Sequence, residues 1–381
     1  MRFLRYVGLW PYQSALTKFL RSFTMFLMAE SILIPEAVAF IKIARIDMVN
    51  ILECIPTMII ALACGIKLIN MVYNNEKMKM LLAKVIADWS LMTVKREKKI
   101  LRSYGERARQ FTIGYAYWMF LTSIMFVSLP FLRILNQDPE TADSSDYSII
   151  PFEVDYFVDT NEYYYPILIH CYLCTAAHVF IIIAVDTMFI TFVQHTCGMF
   201  TILSYRVEHM ADFEGVDERS DCDSAKNKAH RRIADCIFRH KELLGFVDLI
   251  ESTYSTYFFI QLGLNMIIMS ITGVQTMMNA NIPHEFMRHL SFTIGQLVHL
   301  FFECWQAQQI IDHSVLLSES IGKAEWYRTS IKSKKLIAIM MMKSLVACKL
   351  TAGKMIVLCF ESFTMVVSKS VSYFTVLRTL Q

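Results

Sequence analysis

The chain is short of the charge and the turn-forming residues that a soluble domain carries: only 19% of its 381 residues are charged, and it has 12 glycines and 8 prolines. The spacing of those glycines and prolines argues against barrel strands, and no alternating ten-residue pattern repeats. No Asn-x-Ser/Thr occurs, so no N-glycosylation is expected. There is no Gly-rich phosphate loop, no metal-binding His pair and no nucleophile elbow. The 10 cysteines are scattered. Their one close pair, Cys171 and Cys174, lies in an apolar stretch without the second pair that a zinc site needs. His170, His178, His195 and His299 stand apart from one another and read as helix-packing residues. These absences speak against an enzyme, a metal, a cofactor or a nucleic-acid partner. A cleavable signal is also missing, because the first apolar stretch is of full spanning length and should act as a signal anchor.

What is abundant is apolar. Hydrophobic residues make up 55% of the chain, with 24 Met, 27 Phe and 17 Tyr, and the mean hydropathy is +0.40; such values place it in a membrane. A helix needs roughly 20 apolar residues to cross a bilayer. Seven stretches qualify, near 20–44, 51–73, 111–134, 164–204, 245–278, 290–311 and 354–379. The fourth and fifth are longer than a bilayer requires and should project beyond it. The expected fold class is therefore an all-α membrane protein with seven transmembrane helices.

Orientation follows from where Lys and Arg fall. The segments 1–22, 74–110, 205–245 and 312–353 together hold 29 basic residues, whereas 42–50, 136–165 and 279–289 hold 3. The 136–165 connection has eight acidic residues and no basic one. The N-terminus is expected in the cytoplasm. The C-terminus is expected outside, with an apolar span running almost to the chain end and leaving no room for a tail. A G-protein-coupled receptor has the opposite orientation. This chain also lacks Asp-Arg-Tyr after the third span, Asn-Pro-x-x-Tyr in the seventh, and a Cys in the 136–165 loop.

Several local patterns are specific. Gly8-Leu9-Trp10-Pro11 stands near the start and Trp326-Tyr327 follows the sixth span. Lys349-Leu350-Thr351-Ala352-Gly353-Lys354 leads to Ser372-Tyr373-Phe374-Thr375-Val376-Leu377-Arg378. With the inverted seven-span plan, these residues resemble an insect odorant receptor. The likeness is to the ligand-tuned subunits rather than the shared co-receptor, because the 205–245 connection lacks that subunit's long insertion. Gustatory receptors share the fold and are the alternative; a secondary transporter is a second functional class, opposed by the lack of an internal repeat.

The resemblance implies an odorant-gated, non-selective cation channel that works as a heterotetramer with the odorant co-receptor. It implies a multi-pass protein of the cell membrane, in the dendrite of a sensory neuron, that binds a volatile ligand. It also implies three regions: a six-span bundle over 1–311 with the ligand pocket in its outer half and cytosolic extensions near 205–245, an anchor region over 312–353, and a pore-lining span over 354–381. The residues give this some support of their own. In 327–350, Leu336, Ile337, Ile339, Met340 and Met341 form an apolar part and Lys332, Lys334, Lys335 and Lys343 a basic one. The expectation is a cytosolic helix, or one lying on the inner leaflet, followed by a separate span with Thr351 as a helix cap and Gly353 at the change of direction.

In that last span Lys369, Ser372, Val376, Thr379 and Leu380 recur at spacings of three and four and share a face. A Lys facing lipid at mid-bilayer costs about 2.5–3.5 kcal/mol, so Lys369 should face protein or water. Polar residues mixed with Val and Leu suit a water-filled path with an apolar constriction. By resemblance to the co-receptor's gate, Val376 and Leu380 would form that constriction, and Lys369 should lower conductance or divalent permeation. Asp186, Glu303 and Glu361 are also costly in lipid. Asp186 sits where the family often has Asp and reads as a structural hydrogen-bonding residue, while Glu30, Glu36 and Glu53 suggest a cation-attracting outer vestibule.

The resemblance puts the odorant pocket between spans two and six. An apolar volatile needs aromatic and aliphatic walls with few polar groups. The residues of suitable type and spacing are Met58 and Leu62 in span two, Trp118, Leu121, Thr122 and Met125 in span three, Tyr172, Ala176 and Phe180 in span four, and Gln261 in span five. The aromatic cluster Tyr156, Phe157, Tyr163, Tyr164 and Tyr165 fits an interfacial belt or a lid over the pocket.

Overall fold

The computed structural model describes residues 2–45, 51–136, 150–160, 162–209 and 222–379. Eleven α-helices are described: α1 (Arg2–Val7), α2 (Ala15–Glu30), α3 (Leu33–Ala44), α4 (Ile51–Tyr73), α5 (Asn75–Leu91), α6 (Lys95–Asn136), α7 (Tyr164–Glu208), α8 (Cys222–Met278), α9 (Pro283–Lys323), α10 (Ile331–Ser344) and α11 (Phe360–Thr379). One small hairpin, β1 (Thr351–Ala352) and β2 (Ile356–Val357), interrupts the helices.

Five described segments are long and apolar enough to cross a membrane by composition: Ala15–Ala44, Ile51–Tyr73, Lys95–Ser128, Tyr164–Glu208 and His230–Met278. Among the seven expected spans, α9 and α11 are the more polar, with buried Gln306, Gln309 and Glu303 on α9 and Glu361, Lys369 and several serines on α11.

Proline shapes the first two spans. Pro35 cannot donate to the carbonyl four residues back, and the first span breaks into α2 and α3 around Ser31. Pro56 lies inside α4 and leaves the Leu52 carbonyl without its helical donor. Gln275 of α8 fills the gap, donating from Nε2 at 2.7 Å. A local defect in one helix thus becomes a bond to its neighbour.

At about 1.5 Å per residue, the 45 residues of α7 run well past a hydrocarbon core about 30 Å thick. Its buried residues fall on every side of the helix, from Ile167 to Val207, which makes α7 the central post. It packs against α2, α4, α6, α8 and α9. Beyond the apolar zone, polar side chains fasten the long helices together. Arg206 of α7 grips Glu97 of α6 through two bonds of 2.7 and 2.8 Å.

In α10, Ser333, Ile337, Met340 and Ser344 form the buried face, at spacings of three and four. Ile337 and Met340 meet Val207, Ile233, Cys236 and Ile321 from α7, α8 and α9. Leu336 is half-buried, while Ile339, Met341 and Met342 remain exposed.

The expectation that Thr351 caps a helix is corrected. Thr351 belongs to β1, and its hydroxyl hydrogen-bonds the Glu251 carboxylate of α8. The turn between the strands places Gly353 at φ +61 and Lys354 at φ +59. The Gly353 N–H donates to the Ser255 carbonyl at 2.9 Å, and a Cβ on Gly353 would stand 2.9 Å from the ring of Phe259. The hairpin therefore clamps onto α8, and α11 starts only at Phe360, where Ser362 Oγ accepts the Cys359 N–H at 3.0 Å.

Candidate functional site

A cavity of about 130 Å³ opens between α3, α4, α6, α7, α8 and α9, in the half of the bundle nearest segment 150–160. Ile32, Ile60, Met119, Phe126, Val179, Ile182, Ile268 and Phe292 give it an apolar wall. Phe152 closes one side and packs edge-on against Phe126 at 5.7 Å. Arg288 holds that segment by donating to the Pro151 carbonyl at 2.8 Å, and Asp155 pairs with Lys42. The aromatic cluster divides accordingly. Tyr156 turns inward to His170, 2.6 Å from its Nδ1, whereas Phe157, Tyr163 and Tyr165 are exposed.

Two side chains at the cavity's deeper end, Lys67 and His299, belong to a buried charge network. Lys67 is only 1% exposed. Its ammonium bonds both oxygens of Asp186, at 2.7 and 2.8 Å, and lies 3.6 Å from Glu303. Tyr115 donates to Asp186 Oδ2 at 2.5 Å, and its oxygen lies 2.8 Å from His299 Nδ1. Tyr257 donates to Glu303 at 3.1 Å. The pattern closes if His299 carries its proton on Nδ1 and donates to Tyr115, an assignment made from the bonding partners. Asp186, His299 and Glu303 offer ligand atoms within 4.8 Å of one another, close enough for a metal ion. The Lys67 ammonium already supplies positive charge to both carboxylates, so the donor set is used without a metal.

Burying three charges in an apolar bundle is tolerated because each has an opposite partner and further hydrogen bonds. Asp186 has the structural role expected of it. Lys67, its counter-ion, and Tyr115 are the residues that sequence reasoning missed. The signal available was that two buried acids, Asp186 and Glu303, required a cation, and Lys67 is the basic residue inside the span-two stretch.

Of the ten expected pocket residues, the structure places Thr122 and Gln261 on the cavity wall. Leu62, Leu121 and Met125 are exposed on the outer surface, and Met58, Trp118, Tyr172, Ala176 and Phe180 are half-buried away from the cavity. Phe180 packs against Phe3 and Phe120 instead. The wall is formed by neighbours of these residues: Thr57 and Ala63 on α4, Met119, Ser123 and Phe126 on α6, and Thr175, His178 and Val179 on α7. A shift of one residue rotates a helix position by about 100°. Glu36, expected in an outer vestibule, is instead 1% exposed and lines the cavity.

On α11, Ser362, Val366 and Ser370 are buried one turn apart. The Ser370 hydroxyl donates to Val366 within α11, and its backbone carbonyl accepts from Ser270 of α8 at 3.3 Å. Cys304 of α9 lies 3.8 Å from Ser362. Lys369, Ser372 and Val376 are exposed, so their face is turned from the chain's own bundle. Thr379 ends the helix, and Leu380 lies outside the described residues.

A sequence model of the 7tm Odorant receptor family matches residues 47–371. The chain belongs to that family. Such proteins are receptors, not enzymes. Among its relatives, this odorant receptor is 23% identical over 209 residues to Odorant receptor 13a of Drosophila melanogaster, an alignment covering 52% of this chain and 49% of that protein. It is 27% identical over 151 residues to Odorant receptor 83a of the same organism, covering 38% of this chain and 32% of the relative. The chain thus spans about half or less of the length of the curated relatives it matches. In fold, the odorant receptor superimposes on the insect olfactory receptor OR5 from Machilis hrabei, solved in complex with eugenol, with a TM-score of 0.80 at 12% identity. That match covers 100% of this chain and 96% of the other.

Proposed function

We propose that this odorant receptor is the ligand-tuned subunit of an odorant-gated, non-selective cation channel, assembled with the odorant co-receptor as a heterotetramer in the cell membrane of a sensory neuron's dendrite. The N-terminus is cytoplasmic and the C-terminus extracellular, in keeping with the positive charge of segments 1–22, 74–110 and 312–353. A volatile molecule occupies the cavity between α3 and α9, touching Thr122 and Gln261.

The observation that most favours this reading is the cavity, apolar on most sides and set directly on a buried charge network. Its volume is close to the ~150 Å³ of a cavity known to hold benzene, so a ring-sized ligand fits without rearrangement. α9 then connects ligand to pore. His299 lines the cavity and Glu303 joins its charge network, while Phe301 on the same helix stacks on Phe360 of α11 with centroids 5.8 Å apart. A ligand that binds one arrangement of α9 better than another shifts the state of α11 by that difference in affinity. The exposed face with Lys369, Ser372 and Val376, continued by spacing to Thr379 and Leu380, lines the ion path. The exposed Ile339, Met341 and Met342 of α10 meet neighbouring subunits.

Whole-cell current during a panel of volatiles tests the proposal, in cells expressing the chain alone, with the co-receptor, and with the co-receptor plus Val376→Ala or Leu380→Ala. Fast cation currents that require the co-receptor, persist without intracellular GTP and change in leak or permeation in the variants are expected. Surface-expressed protein giving a GTP-dependent response, or flux without channel-sized current, would end the proposal.

A further inference from the structure

Several polar groups around the cavity are already spent. The hydroxyls of Thr122, Ser123, Thr175 and Ser291 each donate to a carbonyl within their own helix. Lys67 and His299 are held in the charge network. Glu36 is different. Both of its carboxyl oxygens are buried with no hydrogen-bond partner. Thr57 stands beside this carboxyl, but its one hydroxyl proton goes to the Cys54 carbonyl at 3.0 Å. The neighbouring charge that acts on Glu36 is a second acid, Glu30, which also has an unpartnered oxygen. Across the same cavity, His178 is 7% exposed and its Nε2 has no partner.

A carboxyl with no donor, walled by apolar side chains, is an expensive arrangement, and a buried polar group without a partner calls for an explanation. The cation that could neutralise it within the chain, Lys67, is bound to Asp186. No described side chain donates to this carboxyl, so an occupant of the cavity that carries a donor would complete it.

We infer that the ligand is a small, mostly apolar molecule whose polar end donates a hydrogen bond to Glu36, with a primary amine preferred to an alcohol and both preferred to a carbonyl compound or a hydrocarbon. This rests on the reading of the cavity as the ligand site. A neutral amine can take the proton of an un-ionised Glu36: the carboxyl O–H bond breaks, an N–H bond forms, and an ion pair is left in place of an orphaned acid. An alcohol donates without transfer. An aldehyde can only accept, so it uses the acid's own proton and leaves the second carboxyl oxygen bare.

Four probes with equal numbers of non-hydrogen atoms separate these classes: benzylamine, benzyl alcohol, benzaldehyde and ethylbenzene. Their binding is measured by calorimetry on the full chain in lipid nanodiscs, which requires no channel opening. Benzylamine should bind at least about tenfold more tightly than benzaldehyde and ethylbenzene, the difference made by a hydrogen bond to a charged group, and benzyl alcohol, whose bond to Glu36 joins neutral groups, should fall between them. In Glu36→Met the preference should collapse to about twofold or less, with ethylbenzene binding retained. Equal binding of all four probes to the unaltered chain, no binding by any, or a preference surviving in Glu36→Met would overturn the inference. If Glu36→Met does not fold, Glu36→Gln replaces it. There the amine should lose its advantage over the alcohol, and an amine preference that persists overturns the inference. Probe binding without any current would leave the ligand class standing while the channel proposal failed.

Discussion

Glu36, on the cavity wall, and Asp186, in the charge network beside it, are both buried acids, yet their surroundings are opposite. Asp186 accepts from Lys67 and Tyr115 and has His299 nearby; Glu36 accepts from nothing. The first belongs to a network that the chain completes by itself, from helices α4, α6, α7 and α9. The second stands in a gap that the chain leaves open. A bundle that must be stable before it meets a ligand uses charges that cancel internally, and it reserves an unmatched group for the place where a ligand is to be recognised.

The comparison is most strongly tested by Lys67→Met. Removing the cation leaves Asp186 and Glu303 buried and uncompensated, which should destabilise the protein by about 3–5 kcal/mol and abolish surface expression. Adding Asp186→Asn and Glu303→Gln to the same chain should restore much of the loss, measured as the melting temperature of purified protein. A Lys67→Met chain that melts normally would show that the network is not held by charge. A smaller effect is expected of Tyr115→Phe, which removes one hydroxyl between Asp186 and His299. A loss of about 1–3 kcal/mol would be seen in the same assay, as for other hydrogen bonds to charged groups. The smallest is Glu36→Gln. Because no partner is lost, stability should change by about 0.5 kcal/mol or less, or rise slightly. Marked destabilisation would mean that Glu36 has a structural partner, and the contrast with Asp186 would disappear.

A good part of this fold was legible in the chain. Apolar runs of spanning length, the basic bias of four connections and the C-terminal motifs point to a seven-span odorant receptor layout. α7 and α8, at 45 and 57 residues, are longer than a hydrocarbon core requires, in line with the lengths of their apolar stretches. The hairpin over Thr351–Val357 was not legible. Its Gly353 was read as a change of direction, but the bonds that decide its form go to Ser255 and Glu251, about a hundred residues earlier. The cavity wall was legible in its helices and in its three-to-four spacing, and not in its phase. Trp118 and Met119 fit an apolar helix equally well, and only Met119 faces the cavity.

The sequence by itself determined which segments are apolar helices, which connections are basic, and that the acids within the spans could not face lipid, because hydropathy and charge belong to each residue wherever it ends up. The tertiary structure alone decided which side of each helix meets the cavity, that Lys67 rather than another group answers Asp186, and that Glu36 is left unanswered. Those outcomes depend on the rotation and approach of helices whose contacting residues are far apart in the chain, 119 positions in the case of Lys67 and Asp186. Periodicity along a single helix fixes the interval between side chains but not the direction in which any of them points.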